Sequence, residues 1–167
     1  GHIWKSSPNH RGVINVEAFV DFSFNFLMPE KIIKYDWIFF GRKYFLSFLA
    51  GFTDAEGSIF ISSKNQATIS WGNYNYQLLE KIRKKLNEMN IKTGNIICDY
   101  LKGYRGRDGY KRKADYHHFT CVQKESLHQL LYTMKLFLKH ADKKKSLTRA
   151  INNIKNRNKL YGFNYRL

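Results

Sequence analysis

Cysteine is almost missing from this chain: Cys98 and Cys121 are the only two among 167 residues, with no CxxC. They sketch neither a disulfide framework nor a four-ligand zinc site, and both are expected to be buried thiols. Long apolar runs are missing too, since even the stretch 36–49 is broken by Arg42 and Lys43, well short of the roughly 18 residues that cross a bilayer. A soluble protein with no membrane partner is expected. The opening Gly1-His2-Ile3-Trp4-Lys5 has neither the apolar core of a secretion signal nor an Arg-rich transit pattern. An intracellular location is the expectation, with the compartment left open. Acids are scarce: 13 Asp+Glu against 29 Lys+Arg leave a formal charge of +16 at pH 7. What is present is a hydrophobic fraction of 43% with 13 Phe, 11 Tyr and 3 Trp, enough for a real core, which excludes intrinsic disorder despite the charge.

The charge is uneven. Lys5, Arg11, Lys31 and Lys34 balance Glu17, Asp21, Glu30 and Asp36, so 1–40 is neutral and 41–167 holds the whole excess. The expected organisation is a neutral, aromatic-rich extension over 1–40 and a basic domain over 41–167. Such a field draws a polyanion by releasing its counterions, which points to DNA or RNA. An anionic lipid surface would ask for one basic amphipathic helix with an aromatic face, whereas here the charge sits in several segments.

Periodicity predicts the elements. Val20, Phe22, Phe24 and Phe26 alternate with polar residues and read as a strand closed by Pro29. From residue 43 the period lengthens: Phe45, Phe48, Leu49 and Phe52 form the stripe of a core-facing helix, with Ser47, Ala50, Gly51 and Asp54 as a small-residue face on its other side. A hairpin over 58–71, a helix over 75–90, a strand pair at 95–101 and 116–122, and helices over 125–138 and 142–159 follow. The connection 102–113, with three glycines and six basic residues, reads as a mobile basic loop. The order is αββαββα with an extra C-terminal helix, an α+β fold.

The segment Leu49-Ala50-Gly51-Phe52-Thr53-Asp54-Ala55-Glu56-Gly57 carries chemistry. Asp54 and Glu56 fall at a helix C-terminus, where free carbonyls and the negative end of the dipole gather, so carboxylates there call for a cation. Mg²⁺, or another oxygen-loving ion such as Mn²⁺, needs little more than one carboxylate, a carbonyl such as that of Ala55, waters and phosphate oxygens. With such an ion, phosphodiester hydrolysis is within reach.

LAGFTDAEG resembles the LAGLIDADG motif of homing endonucleases, and the element order over roughly 43–159 is similar to that family's. The resemblance implies an antiparallel saddle in the DNA major groove, two motif helices side by side, and an acid from each at paired active sites. It implies Glu56 as the metal-binding acid, Asn73 as a polar water-positioning residue, Lys124 as the active-site lysine and Asp54 as a structural cap. It also implies site-specific cleavage of double-stranded DNA by a protein encoded in an intron or intein. A second motif at Leu101–Gly109 is rejected, because Gly106 stands where the sixth-position acid belongs and no helical stripe accompanies it. One motif per chain implies a homodimer across Ser47, Ala50, Gly51 and Asp54, reading a near-palindromic site.

Strand parity counted from Glu56 puts Ser58, Phe60, Ser62, Lys64, Gln66, Thr68 and Ser70 on one face, the expected groove reader, with Ile59, Ile61, Ala67, Ile69 and Trp71 on the other. His118 and Thr120 join the polar face. Arg105, Arg107, Lys111, Arg112, Lys113, Lys139, Lys143 and Lys144 are expected to clamp phosphates. Two further readings share the fold: a maturase that binds its own intron RNA, and a non-catalytic DNA-binding regulator. The latter has no use for a carboxylate aimed at phosphate.

Overall fold

The structure is a computed structural model, and it describes residues 3–5, 7–8, 16–18, 36–106, 109 and 111–160. The chain forms two compact units, 1–37 and 38–167. In the first, strands β1 (Ile3–Lys5) and β2 (Val16–Ala18) pair antiparallel; the strand expected over 20–26, and Arg107, lie outside the described residues.

In the second unit the order is α2 (Arg42–Glu56), β3 (Gly57–Ile61), β4 (Ala67–Asn73), α3 (Tyr76–Glu88), β5 (Ile97–Tyr100), β6 (Tyr116–Cys121), α4 (Lys124–Met134) and α5 (Ala141–Leu160), with a short α1 (Asp36–Phe40) ahead of it. The four strands make one antiparallel sheet in the order β3-β4-β6-β5. The α+β class and the αββαββα order with its extra helix stand as the periodicity predicts. Alternation along each strand sends Ile59, Ile69, Trp71, Phe119 and Cys121 into one core with the apolar stripes of the helices, including Leu79, Ile82 and Leu86 of α3 and Leu127, Leu130 and Leu131 of α4. The helices cover that face of the sheet; the other is left open.

The buried side of α2 is rotated from the expected stripe. Phe45, Leu46, Leu49, Ala50 and Thr53 are its buried residues, while Phe48 and Phe52 sit at the margin, stacked on each other with centroids 5.9 Å apart. These two Phe at the boundary make the sequence stripe look wider than the buried one. Ala50 is therefore wholly enclosed by its own chain, and the exposed side carries Tyr44, Ser47 and Gly51 instead.

Two more expectations change. Cys98 is exposed; only Cys121 is buried, its thiol donating to the Lys92 carbonyl at 3.3 Å and pushed by burial up to about 12. The described residues at the base of the connection expected to be mobile pair with each other. The Gly103 N–H donates to the Arg112 carbonyl and the Arg112 N–H to the Tyr104 carbonyl, both at 2.8 Å, and Arg105 bridges to Lys111. The described residues of the rejected second motif, 101–106 and 109, contain no helix.

Candidate active site

The end of α2 is built by close packing. Thr53, fully buried, donates its hydroxyl to the Leu49 carbonyl at 2.7 Å and accepts the Trp71 indole N–H at 2.8 Å, so helix and sheet are bolted together immediately before Asp54. A Cβ on Gly57 would stand 2.7 Å from the Thr53 Cα; glycine lets the chain leave the helix directly into β3. Glu56, the last helical residue, is thus aimed outward and is exposed.

Asp54 turns back the other way. Its Oδ2 accepts the backbone N–H groups of Lys139 and His140 at 2.8 and 3.2 Å, while its Oδ1 is buried without a hydrogen-bond partner. It is a cap, though for the entry to its own chain's α5. With α5 seated there, the Lys143 ammonium donates to the Gly57 carbonyl and places a positive charge at the negative pole of α2.

Register sets the surroundings of Glu56. Gly57 pairs Trp71, and Gly72 pairs His118, so one step beyond the last β3 pair Glu56 falls beside Gly72 on the open face. Tyr116 leans over that glycine from the diagonal position on β6: a Cβ at residue 72 would collide with its hydroxyl oxygen. Burial, followed by the negative charges of Glu56 and Asp99, pushes the Tyr116 hydroxyl above the usual tyrosine range. Asp99 is held by His118, Nδ1 to Oδ2 at 2.7 Å. Tyr116 packs edge-on against Tyr74 at 5.1 Å, and Tyr100 stacks on Tyr104 at 4.9 Å with the Arg112 guanidinium 5.5 Å from its ring centre.

The expected residues separate on this frame. Glu56, Ala55, Ser58, Phe60, Ser70, His118 and Thr120 share the open face or its edge, Ser58 pairing Ser70 and Ser70 pairing Thr120. Ser62 and Gln66 sit at the hairpin end, where the Ser62 hydroxyl accepts the Gln66 N–H at 3.4 Å; Lys64 is exposed at its tip. Thr68, expected to read bases, is only 6% exposed beneath its neighbours and has no free surface for that role. Parity on β4 puts Asn73 with Trp71 and opposite to Gly72, and its side-chain Oδ1 accepts the Asn75 N–H at 2.8 Å. Lys124 opens α4 beyond Cys121, which pairs at the level of Ile69. That is the far end of β6 from the Tyr116 end beside Glu56, so the structure does not bring Lys124 to the acid. Lys143, placed in sequence with the phosphate clamp, is the lysine at the motif. Parity in the sequence places Tyr116 on the polar face with His118 and Thr120 but gives it no role, and Gly72 and Asp99 escape that reading; strand alternation carries the signal that Gly72, not Asn73, shares the side of Glu56.

A divalent cation fits these residues in one way only. Among the described residues no three His, Cys, Asp or Glu side chains gather into a closed ligand set. One exposed carboxylate at a helix C-terminus suits a hard ion that completes its shell with water and phosphate oxygens.

Among solved structures, the homing endonuclease I-CvuI is similar in two complexes. With an I-CreI target in the presence of Mg, where the DNA is not cleaved, identity is 19%, coverage 68% of this chain and 67% of that one, and the TM-score 0.45. With its own target in the presence of Ca, identity is 21%, coverage 66% and 65%, and the TM-score 0.45. No curated protein sequence matches the chain. The LAGLIDADG-like domain profile matches residues 44–161, which takes in the motif, all four strands of the sheet and the whole of α5. The chain belongs to the LAGLIDADG-like domain family.

Proposed function

We propose that this protein is a divalent-cation-dependent DNA endonuclease of the homing type, acting as a homodimer on a long, near-palindromic duplex site. The observation that carries this reading is the end of α2, where Glu56 is exposed on the open face of the sheet and Lys143 is fixed at Gly57. Membership of the family agrees with it, and encoding by an intron or intein rests on that membership alone. Hydrolysis adds water across a phosphodiester: a new P–O bond forms, the ester P–O bond breaks, and the proton goes to the leaving oxygen. Bound Mg²⁺ or Mn²⁺ would lower the pKa of that water and neutralise the leaving oxygen. Glu56, with the Ala55 carbonyl, would hold the ion. Lys143 offsets negative charge at the same helix end. A twofold dimer through Tyr44, Ser47 and Gly51 supplies one Glu56 to each strand.

Incubating the protein with a random-sequence DNA library, with and without Mg²⁺, and mapping the breaks tests this. Recurrent breaks that need the metal are expected; binding without breaks would favour the regulator, and tighter binding to RNA than to DNA in a parallel titration the maturase. Lys143→Met is expected to slow cleavage about 10²-fold, the scale of losing one preorganised charge at a developing anion, while Lys124→Met stays near wild type in a single-turnover assay. The reverse order would move the site lysine back to α4.

Affinity and specificity should separate by position. Removing Lys111, Lys113, Lys144 or Arg105, all exposed, is expected to weaken binding on every sequence and lower the salt slope by about one unit for each phosphate no longer neutralised. Ser58, Ser70 and Thr120 carry no charge and face outward. Their alanine variants should leave the slope alone and relax base preference at individual positions, each good hydrogen bond to a base edge being worth about 1–3 kcal/mol of discrimination. A binding titration over salt on single-base variants of the site separates the two.

A further inference from the structure

We propose that Tyr116 is the positioning residue of this site, its hydroxyl supplying from β6 the polar group that orders water and phosphate in front of Glu56. The inference rests on the endonuclease reading and deepens it. An acid that holds a cation leaves the attacking water undirected unless a second, uncharged polar group faces the same space. On the open face next to Glu56, β4 offers none: the residue there is Gly72, and the polar neighbours Asn73 and Trp71 alternate away from it, the first committed to the Asn75 N–H and the second to Thr53.

The space that a side chain at residue 72 would fill is occupied by the Tyr116 hydroxyl. A Cβ there would collide with the oxygen and come within 2.7 Å of Cζ and 3.0 Å of Cε1. The ring has little freedom to retreat, being packed edge-on to Tyr74 at 5.1 Å and tilted on Tyr100 at 6.4 Å. Asp99 on β5 has its Oδ2 taken up by His118, while the Tyr116 hydroxyl sits over Gly72, the position beside Glu56. A tyrosine hydroxyl both donates and accepts, which suits a group lying between a carboxylate and a water. Gly72 and Tyr116 are thus one device: the missing side chain on one strand makes room for the phenol of the other.

The test uses the full chain, on the DNA site recovered from the library, with wild type and Glu56→Gln as references. Tyr116→Phe keeps the ring packing and removes only the oxygen. It is expected to slow single-turnover cleavage at saturating protein by at least about tenfold, with DNA affinity within about twofold and the melting temperature unchanged. Gly72→Ala keeps the oxygen and displaces it, and should give a similar loss. The double variant should be no slower than the slower single one, because both remove the same interaction. A merely structural tyrosine would shift melting temperature or affinity and leave the rate at saturation alone. Tyr116→Phe cutting at the wild-type rate, a rate loss matched by an equal loss of affinity, or losses that multiply in the double variant would each overturn the proposal. Wild type that makes no metal-dependent break would instead overturn the endonuclease reading beneath it.

Discussion

Glu56→Gln is expected to lower cleavage by about 10³-fold or more while DNA binding stays within about twofold of wild type. The carboxamide is nearly isosteric but cannot hold a hard cation as a carboxylate does, and the several kcal/mol of charge stabilisation that a metal contributes to phosphoryl transfer goes with it. Binding survives because the basic connection and α5 do not involve residue 56. The same change removes a negative charge from the negative pole of α2, so the variant should melt at the same temperature or higher. Loss of activity with equal or better stability is the signature of a residue kept for chemistry at the expense of the fold. Undiminished cleavage by Glu56→Gln would remove Glu56 from the site.

Gly51→Leu is expected to abolish dimerisation, and cleavage of both strands with it, without harming the monomer. Nothing lies within 4 Å of a Cβ placed at Gly51, so the isolated chain has room for the larger side chain. Within a helix the replacement should even favour folding, by about 0.5–1 kcal/mol. Any damage must therefore come from a second molecule whose helix approaches that face closely, where overpacking costs about 1–3 kcal/mol per interface side. Sedimentation, together with thermal melting, checks this. A variant that remains dimeric and active would show that copies associate elsewhere. Ala50→Leu should behave oppositely, overpacking the chain's own core, since Ala50 is wholly enclosed.

Much of the second unit is legible in the sequence because it depends on neighbours along the chain. Period-two and period-3.6 patterns place its strands and helices, and the nine residues from Leu49 to Gly57 mark the acid. The side of each strand follows from parity, although Thr68 shows that an outward position is not always an exposed one. What stays hidden depends on pairings across the fold. Lys143 meets Gly57 from 86 residues away, and nothing local distinguishes it from Lys144 or Lys145. Tyr116 reaches Gly72 only through the β4–β6 register. The small-residue face of α2 differs from the exposed one by a turn of the helix about its axis, because Phe48 and Phe52 are as apolar as the truly buried positions.

The capping of α5 by Asp54 has a temporal consequence. The hydrogen bonds join residues 85 and 86 positions apart, so they can form only once residues 139 and 140 have emerged from the ribosome, after the local hairpins and helices. Until then the Asp54 carboxylate has no partner for its Oδ2, and the lysine that sits on Gly57 has not arrived. An unfinished or C-terminally clipped chain would carry the entire motif and much of the sheet yet lack a completed centre. Synthesis itself thereby delays completion of the contacts around the motif.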